Sequence, residues 1–136
     1  MAEAELEYHT HQSSAVFVGV PLCSNIENFA SSIGKEIDPK FKQYSKAPIK
    51  AVFWTTTPWS LPANAAIAYN ENILYTLVLS KDSDGHTFYI IANDCLPRVL
   101  ASVKKNFESV VEFKGKCYFI IYFSSQSKNS ISYKDF

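Results

Sequence analysis

The chain has 136 residues, a length that suits one domain. Ten Phe, eight Tyr and two Trp, within an apolar fraction of 47%, supply the bulk for a core. Thirteen basic residues against thirteen acidic ones exclude a general nucleic-acid coat, which needs an excess of phosphate-neutralising charge; a local contact with one nucleotide stays open.

The N-terminal "MAEAELEYHTHQSS" is acidic, unlike the basic leader of a secreted or mitochondrial precursor. His9 and His11 lie in this polar stretch, far from His86. Cys23, Cys95 and Cys117 form no CxxC pair. The cysteines read as reduced thiols of an intracellular chain, and neither a metal nor a cofactor is expected.

"AVFVGVPL" (Ala15 to Leu22) reads as a strand ended by Pro21. Ser24 is the expected cap of a short helix. Ile26, Phe29, Ala30 and Ile33 form its apolar face and Gly34 is its stop. Glu36 to Pro48 is charged, carries two prolines and reads as a loop. "IKAVFWTTT" (Ile49 to Thr57) reads as a strand buried on both faces.

"NAAIAYN" and "ILYTLVLS" read as two short strands turned at Asn70–Asn72. "KDSDGH" has the Asp-Gly of a tight hairpin, returning into "TFYIIAN" (Thr87 to Asn93). Asn93 and Asp94 are the expected start of a second helix. Pro97 lies in its first turn, and Leu96, Val99, Leu100 and Val103 form its apolar face. "FESVVEFKG" alternates as a strand and "KCYFIIYF" reads as another. That last run is too short to span a bilayer, and as an edge strand it would favour self-association. The Ser-rich end after Phe123 is expected to fray. The whole predicts a β-rich α+β domain, a curled sheet or barrel with at least two short helices.

The chemistry concentrates in "WTTTPWSLPAN" (Trp54 to Asn64). Alternation along a strand puts the Thr55 and Thr57 hydroxyls on one face and Thr56 on the other. Such hydroxyls orient a water or hold an ester carbonyl or a ribose, but they are not strong bases. Pro58 and Pro62 stiffen the segment, and Asn64 adds an amide. Thr is also a common strand former and Pro a common breaker of edge strands, so composition alone allows a purely structural role.

The string resembles the Thr-rich peptide of the editing domain inserted into isoleucyl-tRNA synthetases, with Ser60 where Thr is usual. The "TTTPW" and "LPAN" spellings are closer to this branch than to the Thr-Thr-Arg-Pro of valyl and leucyl relatives. Ala63 is closer to bacterial and mitochondrial members. "AEAELEY", "SAVFVGVPL", "NAAIAYNENILYTLV", "FYIIANDCLPRVL" and "FESVVEFKG" are similar to the family's order of segments. The resemblance therefore spans residues 2 to 115. It divides the chain into a lead-in at 1–13, a partial, C-terminally truncated editing domain at 14–115 and a divergent tail at 116–136. The HIGH-like and KMSKS-like signatures of an ATP site do not occur.

The resemblance implies a partner, the aminoacylated 3′ end of tRNA. It implies a reaction, hydrolysis of valine misattached to tRNA for isoleucine. Isoleucyl synthetases are the standing example of such second-sieve editing. Thr56 and Thr57 would then be catalytic, orienting the ester and a water, with Thr55 in support. Asn64 would help hold the substrate. Trp54 and Trp59 are expected to pack the segment, with stacking on the terminal adenine as their other use. The family's "GTGxVHTAPxHGxxD" region, whose aspartate holds the substrate ammonium, has no counterpart here. A carboxylate ~4 Å from an ammonium contributes roughly 4 kcal/mol at an effective dielectric of ~20, so the chain alone is expected to be inactive. The resemblance points to mitochondria for a full-length relative, and the acidic N-terminus leaves the cytoplasm open for this chain. A small β-rich protein-binding module and a non-functional truncated isoform are the rival readings.

Overall fold

The computed structural model describes residues 15–22, 24–63, 67 and 69–115. Five strands form one sheet: β1 (Val16–Pro21), β2 (Ile49–Thr55), β3 (Leu74–Asp82), β4 (Gly85–Ala92) and β5 (Phe107–Lys114). The sheet order is β1-β2-β4-β3-β5. Only the β2–β4 pair is parallel, over Ile49–Ala51; the others are antiparallel. Two α-helices, α1 (Ile26–Ile33) and α2 (Leu96–Ser102), complete an α+β fold. Among the described residues the sheet is open, not closed into a barrel.

Helices cover both faces. On one face, Ile26, Phe29 and Ile33 of α1 pack with Ile49, Leu77, Leu79, Phe88, Ile90 and Phe113. On the other, Val99 of α2 and Val103 pack with Val78, Tyr89 and Ile91. Thr76 to Ser80 are consequently five buried residues in a row, because both sides of the pleat meet a helix. Val18, Val20, Ala51 and Leu61 extend the α1-side core toward the β1 edge.

Several local expectations need revision. Asn25, not Ser24, caps α1: its Oδ1 accepts the Asn28 N–H at 2.8 Å. Gly34 ends the helix at φ 63°, a left-handed conformation that favours glycine. The expected loop holds a 3₁₀-helix, Pro39–Tyr44, capped by Asp38 and anchored by buried Phe41. α2 starts at Leu96 without a side-chain cap. Asn93 instead accepts the Thr76 hydroxyl at 2.6 Å and donates to Glu112 at 2.7 Å, tying β3 to β5. Leu100 is exposed and leaves the apolar face of α2. Within the expected strand "NAAIAYN", residues 67, 69 and 70 carry no strand, and 64–66 and 68 lie outside the described residues. So do the lead-in, "KCYFIIYF" and the Ser-rich end.

A bulge shapes β5. Leu77 pairs with Val111 but Val78 pairs with Ser109, so Val110 is extra. Phe107 and Phe113, six positions apart, would otherwise share a face. The bulge sends Phe113 to the α1 side and Phe107 to the α2 side. At the end of β5, a Cβ on Gly115 would overlap the Asn70 carbonyl oxygen and lie 3.0 Å from the Tyr75 ring.

Candidate functional site

β2 runs beside β1 for its whole length but beside β4 only as far as Ala51. Its C-terminal half therefore diverges from the sheet centre, and Thr55 pairs across to Val16 near the start of β1. After Thr57 the chain turns into a 3₁₀-helix, Pro58–Ala63. Leu61, 7% exposed, plugs that turn into the Val18–Val20–Ala51 cluster. The Thr-rich segment is thus an exposed strand end, with Leu61 as its buried anchor among the described residues. Two cavities among the described residues, one under α1 and one lined by Lys50, Asp82 and Lys105, have no residue of the Thr-rich stretch in their walls.

Proton counting gives the hydroxyls a direction. Ser60 donates its hydroxyl hydrogen to the Thr57 carbonyl at 2.7 Å. Its Oγ can then only accept, so Thr57 Oγ1, 3.3 Å away, is the donor to it. That leaves Thr55 Oγ1, 3.4 Å from Thr57 Oγ1, as donor to Thr57, while it accepts the Thr57 amide N–H at 3.1 Å. The chain Thr55→Thr57→Ser60→Thr57 carbonyl uses every hydroxyl hydrogen internally. Thr57 is exposed to solvent, and its Oγ1 keeps one acceptor lone pair not used within the chain. It can accept from a water, a ribose hydroxyl or an ammonium.

Thr55 and Thr57 are expected on one face of a continuing strand; β2 ends at Thr55, and their hydroxyls meet at 3.4 Å across the turn that follows. Thr56 stands apart and makes no side-chain hydrogen bond among the described residues. Trp54 and Trp59 do not pack the segment: they are 51% and 76% exposed. Asn64 lies outside the described residues. Ser60, absent from the expected site, closes the hydroxyl chain. Its spacing of three from Thr57 is the signature of a side chain capping the turn it sits in. No group of His, Cys, Asp and Glu among the described residues could hold a metal, and no helix among them is long and apolar enough to cross a membrane.

No family model matches the chain. Curated relatives do. It is 39% identical over 117 residues to the isoleucine–tRNA ligase of Prochlorococcus marinus strain NATL1A, covering 85% of this chain and 12% of that protein. The enzyme of strain MIT 9515 is 33% identical over 134 residues, covering 95% and 13%. That of Fervidobacterium pennivorans is 33% identical over 116 residues, covering 85% and 10%. The chain spans only 10–14% of the length of such relatives. It belongs to the isoleucine–tRNA ligase family, matching a segment of its members.

Proposed function

We propose that the Thr55–Thr57–Ser60 hydroxyl chain is half of a hydrolytic editing site for an aminoacyl ester at the 3′ end of tRNA. The observation that carries this reading is the chain of hydroxyls centred on exposed Thr57, at a strand end between two solvent-facing tryptophans. A hydroxyl that can only accept holds a water by one of its hydrogens. The water's own lone pair is then free to face the ester carbonyl. Thr56, on the opposite side of the strand end, orients the ester, and Asn64 holds the substrate. Trp54 and Trp59 offer ring faces to the terminal nucleoside, since base–aromatic stacking contributes about 1–3 kcal/mol per base.

A hydroxyl chain cannot supply a negative charge for the substrate ammonium. Residues 14–115 therefore act as a partial editing domain, and the 136-residue chain hydrolyses valyl-tRNA for isoleucine near the uncatalysed rate. Adding the family's aspartate-bearing segment restores hydrolysis. In that extended protein, Thr57→Ala lowers kcat/KM by the equivalent of about 0.5–1.5 kcal/mol, the net worth of one typical hydrogen bond. Rapid deacylation by the chain as it stands refutes the need for the carboxylate. An extended protein indifferent to Thr57→Ala refutes the site. The exposed tryptophans also favour a second reading, a protein-binding patch. A Trp59→Ala variant that keeps hydrolysis but loses capture of a protein partner would support it.

A further inference from the structure

At the opposite end of β2 a polar cleft of about 810 Å³ opens on the α2 side of the sheet. Lys50, Lys104 and Lys105 line it, with His86 and the carboxylates of Asp82 and Asp84. Asp82 is already held by Lys105 at 2.9 Å and by the Ser80 hydroxyl at 3.1 Å, so its charge is answered within the protein. Lys105 keeps ammonium hydrogens beyond the one given to Asp82. Lys104 is exposed and forms no ion pair among the described residues. Asp84 adds a second carboxylate, so the three lysines of the lining exceed its carboxylates by one.

Between the cleft and the Thr-rich end, β2 carries Val52, which packs half-buried against the α2-side core. Lys50, Val52 and Trp54 alternate onto the same side of β2. Lys50 opens into the cleft and Trp54 is half exposed beside the threonines. The two lie four residues apart, about 13 Å at ~3.3 Å per residue. A basic pocket followed by an exposed aromatic ring along one face is the arrangement by which proteins track a single strand, gripping phosphates and stacking bases.

We propose that this cleft binds a backbone phosphate of the single-stranded 3′ end of the same RNA, a few nucleotides before its terminus. The inference rests on the reading of the Thr-rich end given above, and extends it from an ester site to a strand path. Phosphate contacts of this kind fix register and carry no sequence information. They let the chain thread the terminal nucleoside to the hydroxyls whatever the bases before it.

The test uses the full chain and a fluorescent RNA stem-loop bearing the single-stranded 3′ tail of tRNA, with affinity read by anisotropy across roughly 50–200 mM salt. Lys104→Glu is expected to weaken binding about three- to tenfold, and Lys104→Ala to flatten the slope of log K against log salt by about 0.7–0.9, one phosphate's worth. Replacing tail phosphates one at a time by uncharged methylphosphonates should cost wild type affinity at one linkage, and cost Lys104→Glu nothing there. Unchanged affinity and slope in both variants, equal losses at that linkage in wild type and Lys104→Glu, or no measurable RNA binding overturns the proposal. Removing the terminal nucleoside judges the other end separately. If that removal changes nothing while the Lys104 effects stand, the Thr-rich reading fails and the cleft survives.

Discussion

The centre of the sheet and the end of β2 are built on opposite plans. In β3 and β4, Leu77, Leu79 and Phe88 are fully buried and Val78 and Ile91 nearly so. Each touches a covered face, and the strands pair on both sides. From Trp54, three residues beyond the last β2–β4 pair, to Leu61, the chain carries two exposed tryptophans, a solvent-facing threonine and, among the described side chains, one buried anchor, Leu61. Stability is concentrated where nothing reactive sits. The chemically useful groups sit where little holds them except local hydrogen bonds. A region with few buried contacts opens at small cost, which suits a place that admits a substrate.

Truncating the two regions should expose the contrast most sharply. Phe88→Ala removes a fully buried ring and is expected to cost about 3–5 kcal/mol in urea unfolding. A loss under ~1 kcal/mol would break the contrast. Gly115→Ala comes next. Its new methyl meets the Asn70 backbone and the Tyr75 ring, and overpacking of this kind costs about 1–3 kcal/mol. A Gly115→Ala variant as stable as the parent would show that the β5 end and the Asn70 turn give way.

Acid should bring a smaller loss at the rim of the sheet. Lys105 holds the Asp82 carboxyl below the usual carboxylate range, and Lys81 and Lys40 do the same to Glu108. Carboxylates with lowered folded-state pKa values contribute stability that is present above their unfolded values, near 4. It fades as pH falls through the folded ones. Unfolding midpoints should therefore hold near neutrality and decline below about pH 4. Asp82→Asn should shrink that decline.

Least affected should be the stability of the Thr57→Ala and Ser60→Ala variants, with changes within about 0.5 kcal/mol, as expected for exposed positions. Their value lies in the hydrolysis assay, where the same substitutions act on the proposed water site. Trp54 and Trp59 are the chain's two tryptophans. Native emission should already be red-shifted and open to acrylamide quenching. Unfolding of the core should move it little. A large blue shift in the native protein would mean the tryptophans are covered and the contrast is false.

Much of this was legible in the sequence. The α+β class, the strands at Val16, Ile49, Leu74 and Phe107, the Asp-Gly hairpin and the Gly34 stop follow from periodicity and from residues with few allowed backbone states. Strand alternation puts the Thr55 and Thr57 hydroxyls on one side, but β2 ends at Thr55 and a local turn, closed by the Thr57 N–H on Thr55 Oγ1, is what brings them together. Ser60 could have been found from its spacing, but a serine after Pro-Trp has many uses and only the turn selects one. Asn93 read as a helix start because Asn often caps; across the sheet it found Thr76 and Glu112, stronger partners than a helix end. Leu100 reads as core because it shares the helical period of Leu96 and Val103, yet it is 42% exposed while Val99, one position before it, takes the buried place against the sheet.

The sequence by itself determined what depends on near neighbours: which runs extend, which coil, and which hydroxyls share a side. Strand order, the parallel β2–β4 pair and the Val110 bulge were decided by the tertiary structure. Each depends on residues distant in sequence competing for the same space. Phe107 and Phe113 show the reason most plainly. Local alternation assigns both rings to one face. Two helix-covered cores on opposite faces each bury one of them, and one unpaired residue in β5 is enough to let them do so.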